Sequence, residues 1–599
     1  MATPLPIRPE LQSGTARSQS AVGECHSPWL SHYPACVPAQ LEYPEIPAWG
    51  FLERAAKDHP QRTACIYYKQ QLNYCQLAES ARRFADMLVR LGVRPDDKVG
   101  ILLPNVPEFL VALNGTWMAG AVAVALSPLM VAEEASALLA ATGCRVVISL
   151  DMLLPLVTGG PHQPEHIVLT TIRDRIPRWK RMLYSLALLK KVGWSQPNQG
   201  PVRHSYTEEL AQGDSNFTPL LPDSLDRPAF ILGTGGTTGR PKAVVLSHRN
   251  LVANAHQLHH WAGAAMARDS ILAVVPFFHC YGLTTCAMNG MAMAATLIMH
   301  HRFVPKTVIG LIEKHEPTVF PAVPTMLVAL NSILRSKPIR YRALQYCISG
   351  GAPLDPVVGA EFGSLTGAMV VEGFGLSEAS PVTHAGPLDG TARAHTIGLP
   401  MPDTQAKIVD ADTGLLTLPP GEVGELVVKG PQVMLGYWNN PEATSQTIRN
   451  GWLYTGDLAT CDEDGFFRIV DRKKDLIITS GFNVYPTDVE VVLRGCAGVQ
   501  DVAIVGIADA QRGELVKAFV VPEAGQRFDR KAFDAFARQH LSKHKVPLVV
   551  EVIDGDLPCN FLGKVDRRRL RESAMSPAVA ETPQPVPVPI HAVAGAQLR

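Results

Sequence analysis

The sequence lacks the features that mark several large classes of protein. Its formal net charge is +0, because 55 Lys and Arg residues balance 55 Asp and Glu residues. A chain without a global field of one sign is not expected to bind nucleic acid, and any electropositive site must be local. The N-terminal residues contain no apolar core of the kind that a secretory signal has, which predicts a cytoplasmic protein.

The eleven cysteines include no CxxC pair and no disulfide-dense spacing. They are therefore predicted to be reduced and to pack as small hydrophobic side chains, not to form disulfides or bind zinc. The GxxxxGK[ST] pattern of a Walker A loop is also missing.

One uncharged run, Phe109–Ala132, has the length of a membrane span. Asn, Gly and Pro residues interrupt it, and its pattern divides into a helix ending near Met118 and a strand Val122–Leu126. We therefore expect a buried helix–strand pair instead of a span.

The chain is long, and its apolar pattern alternates between predicted strands and predicted helices. Its 599 residues are 46% hydrophobic, enough for two or more domains with sizeable cores. Strands at Cys65–Tyr68 and Val99–Leu103 lie on either side of a helical stripe that ends at Gly92. This rhythm resumes through Phe230–Leu232 and Val244–Leu246, and it predicts parallel sheets covered by helices.

The predicted fold class is α/β. Residues 1–45 are expected to form an irregular lead-in. A large N-terminal domain, 46–473, follows, with an insert at 160–215 and a small β subdomain at about 400–470. A small, mobile α+β domain is expected over 474–572, and 573–599 is predicted to be a disordered tail.

The first chemical signal is the loop Thr234–Lys242, TGGTTGRPK, which follows a short apolar strand. Glycines allow backbone N–H groups to turn toward an anion, threonines add hydroxyl donors, and the lysine supplies a charge, so the loop suits a polyphosphate. By composition alone, a flexible surface turn is the alternative.

This loop resembles the phosphate loop of the adenylate-forming superfamily, which contains acyl-CoA synthetases, luciferases and peptide-synthetase adenylation domains. Further segments match the family in its order over about residues 45–570. They are PFFHCYG at 276–282, SGGAP at 349–353, EGFGLSE at 372–378, YTGD at 454–457, DRKKD at 471–475, GFNVYP at 481–486, and Leu557-Pro558 with Gly563-Lys564.

The resemblance implies a two-step reaction that uses ATP, Mg²⁺ and coenzyme A. The catalytic residues would be Lys564, Glu378 and Lys242. The metal would be held by Glu378, with Thr234 as a second contact. The ATP and AMP contacts would be Thr234, Gly235, Gly236, Thr237, Thr238, Gly239, Lys242, Gly351, Ala352, Pro353, Glu372, Gly373, Phe374, Gly375, Ser377, Asp457, Arg472 and Lys564.

The family pattern also implies a hinge at Lys474, about which the small domain would rotate between the two steps. Gly481 and Phe482 would border the coenzyme A tunnel, and His279 and Tyr281 would lie beside the acyl pocket. Without the rest of the pattern, each of these residues would have a simpler interpretation as a surface charge, a turn residue or a core histidine.

The lead-in, the Gly235 variant of the loop and the insert resemble the long-chain fatty-acyl branch. The insert around Arg175–Trp194 is basic and bears aromatic residues, which leaves open a peripheral membrane contact or a solvated helix. A homodimer is also left open. The alternative functions are an acyl-AMP ligase that loads a carrier protein, a CoA ligase for an aromatic or dicarboxylic acid, and an inactive homologue that acts as a binding protein.

Overall fold

The computed structural model describes residues 27–173, 175–176, 178–192, 200–234, 242–336, 343–480, 482–509, 511–559 and 564–575. The predicted phosphate-loop residues Gly235, Gly236, Thr237, Thr238 and Gly239, and the predicted tunnel residue Gly481, lie outside these ranges. So do residues 576–599 of the predicted disordered tail, 573–599, whereas residues 573–575 end a helix and are not disordered as predicted.

The first part of the chain alternates strands and helices, as its apolar pattern predicts. The predicted stripe of α2 is buried, and a capping box between Asn73 and Gln76 starts that helix. The strands are β1 (Thr63–Tyr67), β2 (Gln70–Asn73), β3 (Lys98–Leu102), β4 (Val122–Ala125), β5 (Val146–Leu150), β6 (His166–Thr170), β7 (Val202–Ser205) and β8 (Pro228–Thr234). The helices are α1 (Gly50–Asp58), α2 (Tyr74–Arg90), α3 (Pro107–Met118), α4 (Ala132–Thr142), α5 (Leu154–Thr158), α6 (Arg178–Val192) and α7 (Tyr206–Gln212).

The uncharged run forms the predicted buried pair, α3 and β4. Every residue of α3 is buried, because the helix packs against α2 on one side and against β3 and β4 on the other. The carboxylate of Glu108, in its first turn, pairs with Arg175 from the insert. Within the described parts of the chain, no helix combines the length and hydropathy that crossing a bilayer requires.

The middle of the chain continues this alternation. Its strands are β9 (Lys242–Ser247), β10 (Ser270–Ala273), β11 (Thr296–Met299), β12 (Val319–Ala322), β13 (Tyr346–Ser349), β14 (Met369–Gly375), β15 (Val382–Ala385) and β16 (Leu399–Pro400). Its helices are α8 (His248–Trp261), α9 (Cys280–Gly282), α10 (Asn289–Ala292), α11 (Pro305–His315), α12 (Pro324–Leu334) and α13 (Pro356–Thr366).

Short strands separated by turns follow, and then a compact α+β segment. The first set is β17 (Gln405–Val409), β18 (Gly424–Lys429), β19 (Gly436–Tyr437), β20 (Ile448–Arg449), β21 (Trp452–Cys461) and β22 (Phe467–Arg472), with helix α14 (Pro441–Thr447). The second set is β23 (Ile477–Thr479), β24 (Phe482–Val484), β25 (Val499–Asp509), β26 (Gly513–Pro522) and β27 (Val549–Val552), with α15 (Pro486–Leu493), α16 (Arg530–His540) and α17 (Arg567–Met575).

Two large sheets with parallel centres form the body of the molecule, which confirms the α/β class. One has the order β16-β15-β14-β13-β12-β10-β11-β1-β2, and its neighbours from β14 to β1 are parallel. The other has the order β19-β9-β8-β4-β3-β5-β6-β7, parallel from β8 to β7.

The orientation of β9 differs from the predicted parallel rhythm. β9 runs antiparallel to β8, with Lys242 opposite Thr234. The chain returns directly through the loop between them, and a parallel pairing would have needed a longer crossover. β15 and β2 are antiparallel to β14 and β1 for the same reason, and β16 is also antiparallel to β15.

The smaller strands form two further sheets. The order β17-β18-β21-β20, with β22 on β21, is antiparallel throughout. β19 leaves this unit and pairs with β9 of the large sheet, which the sequence did not predict. The last sheet, β24-β23-β26-β25 with β27 on β26, has its own apolar core around Val502, Ile504 and Phe533.

The described part of the lead-in, residues 27–45, packs on the large unit. The hydroxyl of Tyr33 donates to the carbonyl of Pro400 at 2.6 Å, and that of Tyr43 donates to Asp403 at 2.9 Å. The described cysteines are free thiols, and most are buried, as predicted.

Candidate active site

Lys242 begins β9, directly opposite the last residue of β8, so the strand pair presents the predicted phosphate loop at the end of a sheet. Its Nζ lies 4.8 Å from the centre of the Tyr437 ring. Tyr437 reaches this position because β19 pairs with β9 and sets it opposite Val244.

The same tyrosine joins Lys242 to Glu378. The Tyr437 hydroxyl donates to Oε1 of Glu378 at 2.8 Å, and the backbone carbonyl of Glu378 accepts from the Met434 N–H at 2.8 Å. Burial and the nearby Glu378 raise the pKa of Tyr437, so the phenol remains a proton donor at neutral pH. The fold therefore gathers the predicted phosphate-binding lysine and the predicted metal ligand around one ring.

The residues present fit a Mg²⁺ ion that is shared with a nucleotide. Among the described residues, no group of three or more His, Cys, Asp or Glu side chains could hold a metal alone. Mg²⁺ is commonly bound by one or two carboxylates together with phosphate oxygens and water, and Glu378 supplies one such carboxylate. Thr234, the predicted second metal contact, is the last residue of β8, and the structure describes its backbone only.

The predicted adenine contacts lie at the ends of β13 and β14, which pair in parallel with Ser349 opposite Glu372. The turn after β13 contains Gly351, Ala352 and Pro353, and Gly351 has a φ of +81° that favours glycine. Neighbouring strand ends therefore bring the two predicted motifs to one edge of the sheet.

On β14, Phe374 is half-buried and its ring lies 6.1 Å from that of His384 on β15. Gly375 has no room for a side chain, because a Cβ there would lie 2.1 Å from the carbonyl of Pro381. Gly373 precedes Phe374 opposite Ala385. Burial raises the pKa of Glu372 to about 8, so this carboxyl is largely protonated at neutral pH and can donate a hydrogen bond.

Asp457 and Arg472, the predicted ribose contacts, face each other across β21 and β22. Their side chains approach to 3.4 Å between Arg472 Nε and Asp457 Oδ1. That Nε is a buried donor with no hydrogen-bond partner among the described residues. Asp457 is 8% exposed, and burial raises its pKa while Arg472 and Lys564 act to lower it.

Lys564, from the C-terminal segment, lies close enough to this pair for both of their charges to affect its pKa. Burial and the positive charge of Arg472 lower the pKa of Lys564 to about 8, while Asp457 acts to raise it. The structure thus brings together Asp457, Arg472 and Lys564, which the sequence separates widely.

Lys474, the predicted hinge residue, is exposed and lies in a 3₁₀ turn, Lys473–Asp475, directly after β22. A side-chain bond connects the residues on the two sides of this turn: Asp471 Oδ2 accepts from the Thr487 N–H at the start of α15, at 2.9 Å. Phe482 is 56% exposed, and its ring stacks on His544 at 4.8 Å between ring centres.

His279 and Tyr281 lie where β10 leads into α9. Polar side-chain atoms of both residues form hydrogen bonds with neighbouring backbone groups of the protein. His279 Nδ1 accepts from the Tyr281 N–H at 3.2 Å, and burial lowers the pKa of His279 to about 4. The Tyr281 hydroxyl contacts the carbonyls of Ile348 and Ala322 at 2.9 and 3.2 Å. Ser377, in the predicted adenine motif, also contacts this segment. Its hydroxyl oxygen lies 3.3 Å from the sulfur of Cys280.

Two residues near the site were not predicted. Tyr437 belongs to none of the family motifs found in the sequence. Its position results from the pairing of β19 with β9. Glu425 is a carboxylate in β18, Gly424–Lys429, directly before three apolar residues, and this contrast is a signal that the sequence does contain. Glu425 is 4% exposed and bonds to the segments that carry Asp457 and Arg472.

Comparison with known proteins finds two family matches. The model of the AMP-binding enzyme family matches residues 52–438, and that of the AMP-binding enzyme C-terminal domain matches residues 488–564.

Curated relatives cover almost the whole chain. The long-chain-fatty-acid–CoA ligase of Bacillus subtilis (strain 168) is 36% identical over 92% of this chain and 98% of its own length. The feruloyl-CoA synthase of an Amycolatopsis species is 34% identical over 86% and 97%. Among solved structures, ATP-bound MatB from Rhodopseudomonas palustris aligns with a TM-score of 0.74 and 29% identity, covering 88% of this chain and 99% of that one.

Proposed function

The chain belongs to the AMP-binding enzyme family, and we propose that it is an AMP-forming ligase joining a medium- or long-chain fatty acid to coenzyme A. The observation that carries the reaction type is the cluster in which Lys564 lies beside Asp457 and Arg472. The choice of acid is supported by the relative from Bacillus subtilis, which spans nearly the whole chain.

The first step makes a carboxylate reactive. A carboxylate oxygen attacks the α-phosphorus of ATP, the bond from that phosphorus to the bridging oxygen breaks, and pyrophosphate leaves with the electron pair. Two anions must meet, so catalysis consists mainly of positioning and charge neutralisation.

Different residues of the candidate site would perform different parts of this step. Lys242 and the loop after Thr234 would hold the β- and γ-phosphates, Phe374 would stack on adenine, and Asp457 and Arg472 would bind the ribose. Lys564 would reach the carboxylate and the α-phosphate oxygens. A Mg²⁺ ion held by Glu378 and the phosphates would supply further neutralisation of charge.

In the second step the thiolate of coenzyme A attacks the acyl-AMP carbonyl and expels AMP. Rotation about Lys474 would withdraw Lys564 and bring the Phe482 segment to the thiol tunnel. This rotation would break the bond between Asp471 and Thr487, because the two residues lie on opposite sides of the hinge.

One assay panel tests the proposed function. Pyrophosphate and AMP release are measured with fatty acids of graded length and with aromatic acids, each with and without coenzyme A. We expect thioester formation and AMP release to require coenzyme A and to favour the longer fatty acids. Pyrophosphate release without any thioester would instead support an acyl-AMP ligase, and no release with any acid would support an inactive homologue.

A CoA ligase for an aromatic acid is a second candidate, because the feruloyl-CoA synthase relative is nearly as similar in identity. Preference for ferulate-like acids in the same panel would establish it over the fatty-acid ligase.

The role of Lys564 has its own test. Lys564→Ala is expected to lower acyl-AMP formation by at least about a hundred-fold, as for loss of a charge that stabilises the transition state. Thioester formation from supplied acyl-AMP should change much less. Equal loss in both half-reactions would contradict the division of labour.

We also propose a peripheral membrane contact through α6. Its apolar side chains Met182, Leu183, Leu186 and Leu189 are 48–69% exposed and share one face, while Tyr184 on the opposite face bonds to Asp151. Residues 178–192 contain five Lys or Arg residues and no acid. A basic helix with an exposed apolar face suits an anionic lipid surface, into which long-chain acids partition. A homodimer stays a prediction that sedimentation velocity would test.

A further inference from the structure

Glu425 is a buried carboxylate that the proposed mechanism does not use. It lies in β18, where the following residues Leu426, Val427 and Val428 are fully buried and apolar. Burying a carboxylate is unfavourable unless its charge is paired and its oxygens accept hydrogen bonds. Its partners therefore indicate what this residue stabilises.

One oxygen holds the backbone that precedes Asp457. Glu425 Oε1 accepts from the Gly456 N–H at 3.1 Å. Gly456 lies in an irregular part of β21, where the pairing with β18 shifts register and Gly456 adopts a φ of +72°. Bulges of this kind redirect the side chains that follow them. The Gly456 bond thus fixes the direction in which the next side chain, Asp457, leaves the strand.

The other oxygen holds the residue that follows Arg472. Glu425 Oε2 accepts from Lys473 Nζ at 2.8 Å. Lys473 directly follows β22, so this ion pair fixes the end of the strand at which Arg472 faces Asp457 across 3.4 Å. A single carboxylate therefore connects the two strands at the point where the two candidate ribose contacts meet.

We propose that Glu425 is a positioning residue for the nucleotide: it holds Asp457 and Arg472 at the separation and orientation in which they bind the ribose hydroxyls. This inference rests on the proposed function of the site. It assigns Glu425 a role in the binding of ATP and of acyl-AMP, and none in the binding of the acid or in the chemical step.

Two variants separate the contacts. Glu425→Gln retains an oxygen acceptor for the Gly456 N–H but leaves Lys473 without its anion, and Glu425→Ala removes both partners. Hydrogen bonds that involve a charged group contribute enough to change an equilibrium by about ten-fold or more. We expect the KM for ATP to rise about ten-fold in the Gln variant and further in the Ala variant. The kcat and the KM for the fatty acid should change by less than about two-fold in Glu425→Gln.

A double-mutant cycle provides a second readout. Lys473→Met and Glu425→Gln remove the same ion pair, so the double variant should raise the KM for ATP no further than Glu425→Gln alone, whereas additive effects would show that the two residues act independently. Glu551→Gln is the matched control, because Glu551 also accepts from a lysine, Lys517, at 2.8 Å, but in the C-terminal sheet. It should leave the KM for ATP unchanged.

Calorimetric binding of a non-hydrolysable ATP analogue, with the Tm of each variant, completes the experiment. Weaker analogue binding with an unchanged Tm in Glu425→Gln supports the proposal. It is overturned if analogue affinity is unchanged, or if the KM values for ATP, acid and coenzyme A all rise together with a fall in Tm, as for a merely structural ion pair. If wild-type enzyme binds the analogue yet forms no thioester, the proposed function fails, and the binding measurements still decide the role of Glu425.

Discussion

At the residue scale, the site is a set of charges that the fold holds partly out of water. Lys564 shows this most clearly, because burial and Arg472 lower its pKa to about 8. The protonated form is the one that can neutralise the carboxylate and the α-phosphate. The proposed role of Lys564 therefore predicts that acyl-AMP formation is sensitive to pH in the neutral to mildly alkaline range.

We predict that kcat/KM for acyl-AMP formation falls as pH rises through about 8, the pKa of the free enzyme's lysine. The sign follows from the protonation state: Lys564 is charged below this pH and loses its charge above it. Pyrophosphate release measured from neutral to alkaline pH checks the profile.

Lys564→Arg provides the control for this profile. Guanidinium keeps its proton over the whole range, so the alkaline fall should disappear even if the rate is lower throughout. An unchanged alkaline limb in Lys564→Arg would assign the titration to another group.

The sequence identifies some site residues and not others for a physical reason. Lys564, Asp457 and Arg472 each belong to a local run of residues that can be compared with a family pattern. Tyr437 and Glu425 act through strand pairing, in β19 against β9 and in the irregular register of β18 against β21. Pairing between strands that are distant in sequence leaves no local signature, and the one local signal at Glu425, a carboxylate before apolar residues, does not identify its partners. The residues 235–241 stay predictions, since they lie outside the described parts of the chain.

At the element scale, local patterns predict helices well and strand directions less well. The bounds of α3 and β4 follow from apolar content and Gly breaks, and the apolar stripe of α2 follows from its period. The antiparallel direction of β9 depends on where the loop after Thr234 returns the chain, which the composition of the strand does not determine.

Helix α17, which follows Lys564 in the sequence, is joined to α15 through a buried ion pair. Arg567 donates from Nη2 to both oxygens of Glu490, at 2.7 and 2.8 Å, and Glu490 also accepts from the Ile504 N–H at 2.9 Å. Glu490 is 4% exposed. Removing the cation of Arg567 would leave the buried carboxylate with only the more distant Arg494, at 3.8 Å, as a charged partner.

We predict that Arg567→Met lowers the free energy of unfolding of the C-terminal unit by about 3–5 kcal/mol, the usual cost of breaking a buried pair from one side. Hydrogen exchange over residues 477–575, followed by mass spectrometry, measures this. Arg568→Met is the matched control, because Arg568 is exposed and pairs with the exposed Glu572. It should leave exchange nearly unchanged, and equal effects of the two substitutions would contradict the prediction.

At the scale of the whole molecule, charge is balanced overall and unequal locally. The net charge of +0 gives no long-range attraction to an anionic surface, so a membrane contact must arise from one place. Helix α6 is the place that we propose: its exposed apolar face lies on an insert of the large unit, and its cationic residues have no acid beside them within the helix.

We predict that the protein co-sediments with vesicles containing anionic phosphatidylglycerol more than with phosphatidylcholine alone. Raising the salt concentration from about 0.1 M to about 1 M should weaken this binding, because the Debye length falls from about 10 Å to about 3 Å. Leu183→Ser combined with Leu186→Ser should weaken it about ten-fold or more, since each fully buried Leu contributes about 1.5–3 kcal/mol.

Leu415→Ser with Leu416→Ser is the matched control for this experiment. These residues are 80% and 69% exposed, but they lie in the small β-sheet region with no comparable basic helix. If both double variants bind alike, or if binding does not depend on anionic lipid, α6 is a solvated helix. If only the α6 variant loses binding, the fatty acid would reach the enzyme from the surface on which the enzyme rests. Ligase activity on vesicle-bound acid should then fall in that variant, while activity on acid presented in free solution stays at the wild-type rate.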